Sequence, residues 1–257
     1  MSRAQRYFYN SYDDDNFYYG ETTDNFYLYK YVKYEDIKKI INNFNLKLST
    51  PTDTNDPFEF LLKGETTQSS ILSKYRILCL SRTGKSPTMW AHYSADHKGG
   101  CLEFEFKGCS FSYCAKNRRI KFPGIRIEEL FEKSKTKNDL YYAHAFNINY
   151  SNERVKINRF TRRNVINRAL ALLTTKSSEW NYEKESRFIF LPQLGNEEAI
   201  GDFSDHLMPF LKRIILGVKT TNTQREEIEF LLEQYDRPKI PITKASIHRD
   251  KYEINID

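Results

Sequence analysis

The chain has 257 residues, 39% of them apolar and 29% charged, with a net charge of +6. A buried core is affordable, but the surface around it must be well charged. No apolar run approaches the ~18–20 residues a helix needs to cross a bilayer, and the start MSRAQRYFYNSYDDD has no apolar signal core, so the chain is expected to be cytoplasmic, with no membrane partner.

Residues 1–26, rich in Tyr, Asn and Asp, show no clear period and read as an N-terminal extension that is either disordered or ordered by docking a protein partner. A single α+β domain of catalytic type is expected over 27–257. It opens with the aromatic strand NFYLYKYVKY and a helix carrying Ile37, Ile40, Ile41 and Phe44 on one face. LKLST is a short strand, DTNDPFEF a turn initiated by Asn55 and Asp56, and RILCLS (76–81) a buried strand. SPTMWAHYSADH predicts a helix with Pro87 in its first turn, and HKGG a return into the next strand with Gly99 or Gly100 at positive φ.

GGCLEFEF alternates, which puts Leu102, Phe104 and Phe106 inward and Glu103 and Glu105 outward. GIRIEELFEK predicts a helix, FNINYS a strand, and 160–175 a helix with Ile166, Ala169, Leu170 and Leu173 on one stripe. ESRFIFLP and RIILGV are strands. The helix 223–235 has Thr223 and Glu226 at capping-box spacing. Short strands separated by helices of variable length favour a mixed, mostly antiparallel α+β fold with flanking helices over a doubly wound sheet.

Cys79 and Cys101 sit in apolar runs and no CxxC occurs, so they read as reduced core residues. His92 and His97 are five apart, a spacing that does not share a helical face, and no metal site is expected. Basic patches at 116–121 (KNRRIK) and 158–168 (NRFTRRNVINR) suit a phosphate-bearing ligand, although a solvated basic face is the commoner outcome for patches this short.

Two stretches carry chemistry. In LCLSRTGKSPTMWAHYSADHKGGC, a strand ending at Ser81 leads through a loop to a helix with Trp90 and Tyr93 three apart, where they either stack on a planar base or pack in the core. In EWNYEKESRF, strand periodicity puts Glu183, Glu185 and Arg187 on one face. Those three are either a solvated ladder or a buried site. Because the strand continues into the apolar FIFL, a central strand lining a cleft is the stronger reading.

The ordered motifs YLYKYVKY, TNDPFEF, CLSRTGKSPTMWAHYSADHKGGCLEF, WNYEKESRFI and LKRIILG resemble a bacterial family catalogued as a domain of unknown function. The order of parts also resembles the ADP-ribosyltransferase fold. That second resemblance implies NAD as substrate, with an acceptor that is nucleic acid or protein. It implies Glu185 stabilising an oxocarbenium ion and Glu183 orienting the acceptor. Lys30 or Tyr31 would stand at the first-strand position and Ser81 at the serine motif, with Trp90 and Tyr93 helping to hold the dinucleotide and Arg187 either pairing with Glu185 to keep it ionised or meeting a phosphate. A toxin or phage-defence effector is the role such an enzyme would fill. A nucleic-acid-binding module working through the basic patches is the alternative.

Overall fold

In this computed structural model, the structure describes residues 16–19, 24–68, 70–115, 120–133, 144–156, 165–190, 202–237 and 240–256. The first elements are β1 (Asn16–Tyr19), β2 (Asp24–Val32), α1 (Tyr34–Asn43), β3 (Leu46–Lys47), β4 (Arg76–Ser81) and α2 (Pro87–Tyr93). Then come β5 (Gly100–Ala115), β6 (Ile120–Ile127), α3 (Glu128–Lys133), β7 (His144–Asn147) and β8 (Asn149–Ser151). Next are α4 (Val165–Leu173), β9 (Thr175–Ser177), β10 (Glu185–Phe190), β11 (Phe203–Ser204) and β12 (Leu211–Leu216). The described chain ends with α5 (Asn222–Gln234), β13 (Ile242–Lys244), β14 (Ser246–Ile247) and β15 (Ile254–Asn255). The fold is α+β and mostly antiparallel.

Six strands close on themselves. Pairing runs β5–β2–β4–β10–β7–β6, and β6 returns to β5, every step antiparallel. Closure removes the sheet edges that would otherwise invite pairing with another chain. The long strand β5 makes it possible. Residues 100–108 pair with β2, residues 108–115 pair with β6, and β12 and then β13 extend the sheet beside the first half. At the changeover stands Gly108, where an added Cβ would lie 2.0 Å from the Arg126 carbonyl oxygen.

Alternation along the strands sorts side chains into two environments. Leu28, Leu78, Leu80, Phe104, Phe106, Ile125, Ala145 and Phe188, drawn from all six barrel strands, form one apolar cluster that fills the barrel and extends to α1 and α5. The opposite phase of β4 and β10 supplies Ile77 and Ile189 to a second cluster, with Leu72 and Leu170. The ends of these same outward rows, Cys79, Ser81, Glu185 and Arg187, form the floor of the site described below.

Several expectations are corrected. Asn16–Tyr19 forms β1 against β5 and β2 starts at Asp24, so the boundary expected after residue 26 falls inside a strand. Residues 1–15 and 20–23 lie outside the described residues, as do 116–119 and 157–164, which make up much of the two basic patches. Gly124–Ile127 belong to β6, and the helix begins only at Glu128. FNINYS is split between β7 and β8, which pair with different strands. The capping box forms two residues earlier than expected, on Thr221 and Gln224. Positive φ after α2 falls on Ala95, Asp96 and His97, not on a glycine. Gly99 is required for space, since a Cβ there would come within 2.3 Å of the Val32 carbonyl oxygen. Glu103, expected outward, is buried against Arg213, which holds it at 2.9 and 3.1 Å.

Candidate functional site

Glu185 and Arg187 lie on β10 opposite Ser81 and Cys79 of β4. Glu183 does not share that strand. Ser178–Glu183 wind into a 3-10 turn, and Lys184 closes it in the left-handed region, at φ 44°. This corrects the expected ladder of three charges on one strand. Ser81 fixes the turn against β4: its hydroxyl donates to the Glu183 carbonyl at 2.6 Å and accepts from the Thr83 N–H. Despite the break in strand alternation, the Glu183 and Glu185 carboxylates still converge.

They converge on Lys176, whose Nζ lies 2.6 Å from Glu183 Oε2, 3.5 Å from Glu185 Oε2 and 3.8 Å from Glu59 Oε2. The same ammonium sits 4.8 Å above the centre of the Trp180 ring. Arg187, 1% exposed, grips Glu185 with Nε and Nη2 at 2.6 and 2.8 Å. It also bonds Glu59 through Nη2, and through Nη1 the Leu173 carbonyl at 2.8 Å. Arg187 is therefore committed to the protein: of its two expected roles, pairing with Glu185 is the one the structure shows, and its guanidinium is not left open to a ligand phosphate. The Glu185 N–H donates to the Tyr150 hydroxyl at 2.8 Å, and the Tyr93 hydroxyl donates to Glu183 Oε1 at 2.5 Å.

The charges do not balance. Three buried carboxylates, Glu59, Glu183 and Glu185, face Lys176 and Arg187 within ion-pair distance. Burial alone would raise the Glu185 carboxyl, but the Arg187 guanidinium and the Lys176 ammonium outweigh it and hold the group at about 2. Glu183 goes the other way. Burial and then the neighbouring Glu185 charge raise its proton affinity, against the pull of Lys176. One carboxylate is locked in the ionised form while the other is tuned towards proton exchange, the division of labour by which paired acids take different roles. Burial lowers the proton affinity of Lys176, yet the charges of Glu185 and Glu59 more than reverse this, so it stays an ammonium. Tyr150 is pushed up to about 12 by burial and remains a phenol.

Glu59, Tyr93, Lys176, Glu183, Glu185 and Arg187 line a cavity of about 260 Å³ together with Tyr29, Lys30, Tyr31, Ser81 and Met89. Lys30 donates from Nζ to the Cys79 carbonyl at 3.1 Å, and the Tyr31 hydroxyl donates to the Thr83 carbonyl at 2.8 Å. Trp90 is not at the cavity. It is fully buried, with Nε1 donating to the Gly84 carbonyl at 2.8 Å and its ring edge-on to Tyr31 at 5.3 Å. Trp90 therefore packs in the core and anchors the loop after β4, the second of the two roles expected for it, and its expected part in holding the dinucleotide is corrected. His92, exposed, meets the Tyr182 hydroxyl through Nδ1 at 3.2 Å.

Sequence reasoning missed Glu59, Lys176 and Tyr150. Glu59 stands in the quoted TNDPFEF, where the turn explained the segment without it. Lys176 has no periodic or motif signal in TTKSSEW, because what makes it special is convergence in space.

The segment that supplies most of these charged groups is also the one with a match. Residues 89–188 match the family described as Protein of unknown function (DUF2971). The matched stretch runs from α2 to β10, so it includes Tyr93, Lys176, Glu183, Glu185 and Arg187 and leaves out β2, β4 and Glu59. No curated protein and no solved structure matches the chain.

Proposed function

We propose that the chain cleaves the nicotinamide–ribose bond of NAD, passing ADP-ribose to water or to an acceptor, as an ADP-ribosyltransferase-like enzyme or NAD glycohydrolase. The observation that carries this reading is the surplus carboxylate. The cavity is lined by four acids (Asp53, Glu59, Glu183 and Glu185) and three bases (Lys30, Lys176 and Arg187), a surplus of one acid that favours a positively charged guest. The nicotinamide ring of NAD is cationic, and the sugar turns cationic as the bond breaks. Both carboxylates touch one ammonium, so they stand no more than roughly 6 Å apart, a range in which paired acids act on one anomeric carbon.

In this mechanism the electron pair of the C1′–N bond leaves with nicotinamide, which departs neutral and needs no acid. Glu185 supplies fixed negative charge beside the developing oxocarbenium ion. Arg187 keeps it ionised and in place. Glu183 takes the proton of the attacking water or acceptor as the new C1′ bond forms. Ser81 and Tyr93 hold the 3-10 turn and the Glu183 carboxylate in register. Lys30, at the rim of the same cavity, offers charge to the diphosphate. Consumption of a central cofactor fits a toxin or phage-defence role.

The test is to incubate the protein with NAD and follow released nicotinamide, with Glu183→Gln and Glu185→Gln alongside. Release by the parent, reduced at least 100-fold in both variants while their circular dichroism is unchanged, is expected. Intact NAD together with salt-sensitive binding of DNA or RNA would replace this reading by a nucleic-acid-binding module.

A further inference from the structure

Part of the cavity lining has no task in the reaction. Ser49, Asp53, Thr54 and Asn55 contribute to the wall alongside the charged groups already described. Backbone bonds in both directions between Ser49 and Ile77, at 2.8 and 2.9 Å, tie this segment to β4, the strand that supplies Cys79 and Ser81. Pro51–Asp53 then wind into a 3-10 turn whose last residue, Asp53, is exposed. Its carboxylate accepts a long bond from the Thr52 hydroxyl, at 3.4 Å, and among the described residues no cation pairs with it.

The charge of this stretch is one-sided. From Leu48 to Leu62 the chain carries Asp53, Asp56 and Glu59 and not one lysine or arginine, within a protein of net charge +6. The cations that line the cavity come from other elements. Lys176 and Arg187 are held by glutamates, and Lys30 Nζ by the Cys79 carbonyl.

Size decides which part of a substrate meets Asp53. The volume of about 260 Å³ falls below the ~300–1,000 Å³ of pockets that enclose a whole drug-sized ligand. A dinucleotide therefore puts its reacting half inside, among the buried glutamates, and the rest crosses the rim. Beyond the reacting ribose and the diphosphate, the next group is the adenosine ribose. Its neighbouring hydroxyls are two donors, which one exposed carboxylate accepts. A phosphate on the 2′ oxygen would remove one donor and bring added negative charge against that carboxylate, with no lysine or arginine on the segment to receive it.

We propose that Asp53 is a specificity-determining residue, which reads the adenosine ribose and makes the site selective for NAD over its 2′-phosphorylated form, NADP. This assignment rests on the reaction read at the same cavity and narrows its substrate.

The experiment measures kcat/KM for nicotinamide release from NAD and from NADP by the full-length protein, with Asp53→Asn and Asp53→Arg alongside. The parent should prefer NAD by about 50-fold or more. Asp53→Asn keeps an acceptor for a ribose hydroxyl and drops the charge, so NADP cleavage should rise by about 10-fold and NAD cleavage fall by roughly 3-fold. Asp53→Arg should reverse the order, since a guanidinium suits the 2′-phosphate. A gain on NADP is a readout that a damaged fold cannot produce. Cleavage of NADP as readily as NAD by the parent, or an unchanged ratio in both variants, would overturn the assignment while leaving glycosidic cleavage in place. Release from neither dinucleotide would overturn the reaction itself, and the assignment with it.

Discussion

Arg187 shows how one side chain can hold a site together without meeting a ligand. Its guanidinium makes four hydrogen bonds, to Glu185, Glu59 and the Leu173 carbonyl. Arg187→Met would leave two buried carboxylates short of a cation, and about 3–5 kcal/mol of stability should be lost, measured by denaturant unfolding. Glu183 predicts a pH signature instead. Burial and the Glu185 charge raise its proton affinity, so as the accepting base it works only above that raised value. NAD cleavage should therefore fall on the acid side of a midpoint above the ordinary carboxylate range, and Glu183→Gln should abolish that limb as well as the rate. At this scale the sequence revealed Glu183, Glu185, Ser81 and Tyr93 through local spacing. Glu59 and Lys176 were invisible, because each is 9 residues or more from Glu185 along the chain and only folding makes them neighbours.

Elements follow the pattern their residues dictate except where geometry intervenes at a single residue. Lys184, at φ 44°, ends the 3-10 turn and starts β10, so period-two reasoning carried across it assigned Glu183 to the wrong element. Periodicity cannot register a left-handed residue that is not glycine. The helix α5 was legible in its apolar stripe and misread at its start, since Thr221 and Gln224 fit the capping spacing as well as Thr223 and Glu226. Thr221→Ala should lower stability by about 1 kcal/mol and leave the cavity untouched, which a thermal melt would show. Gly108→Ala should be far more harmful. Its Cβ would press on the Arg126 carbonyl oxygen, both partners being strand backbone, so loss of soluble folded protein is expected on expression.

For the molecule as a whole, an α+β class was readable from the succession of short strands and helices, and barrel closure was not. Closure depends on β5 changing partners midway, a long-range pairing that no local pattern announces. Acid stability is set largely by the buried charges. Glu185 titrates near 2 in the fold against 4.5 ordinarily, so it stabilises the native state above about pH 4.5 and that contribution is lost as pH falls towards 2. It amounts to on the order of 3 kcal/mol. Glu183, with raised proton affinity, contributes in the opposite sense: its share is present at low pH and lost as pH rises through its folded value. Urea midpoints measured from pH 6 to pH 2 should therefore drop most steeply below 4.5 in the parent, and less steeply in Glu185→Gln.

The strict alternation of β4 and β10 has one more effect. Phe188 faces hydrocarbon while Glu185 and Arg187 face the charged cavity, one pleat away. If β10 slid by a single position, a glutamate and an arginine would be driven into oil and a phenylalanine pushed among ions. The ionic groups of this strand thus also fix its alignment, because a slipped register would bury them in the apolar barrel.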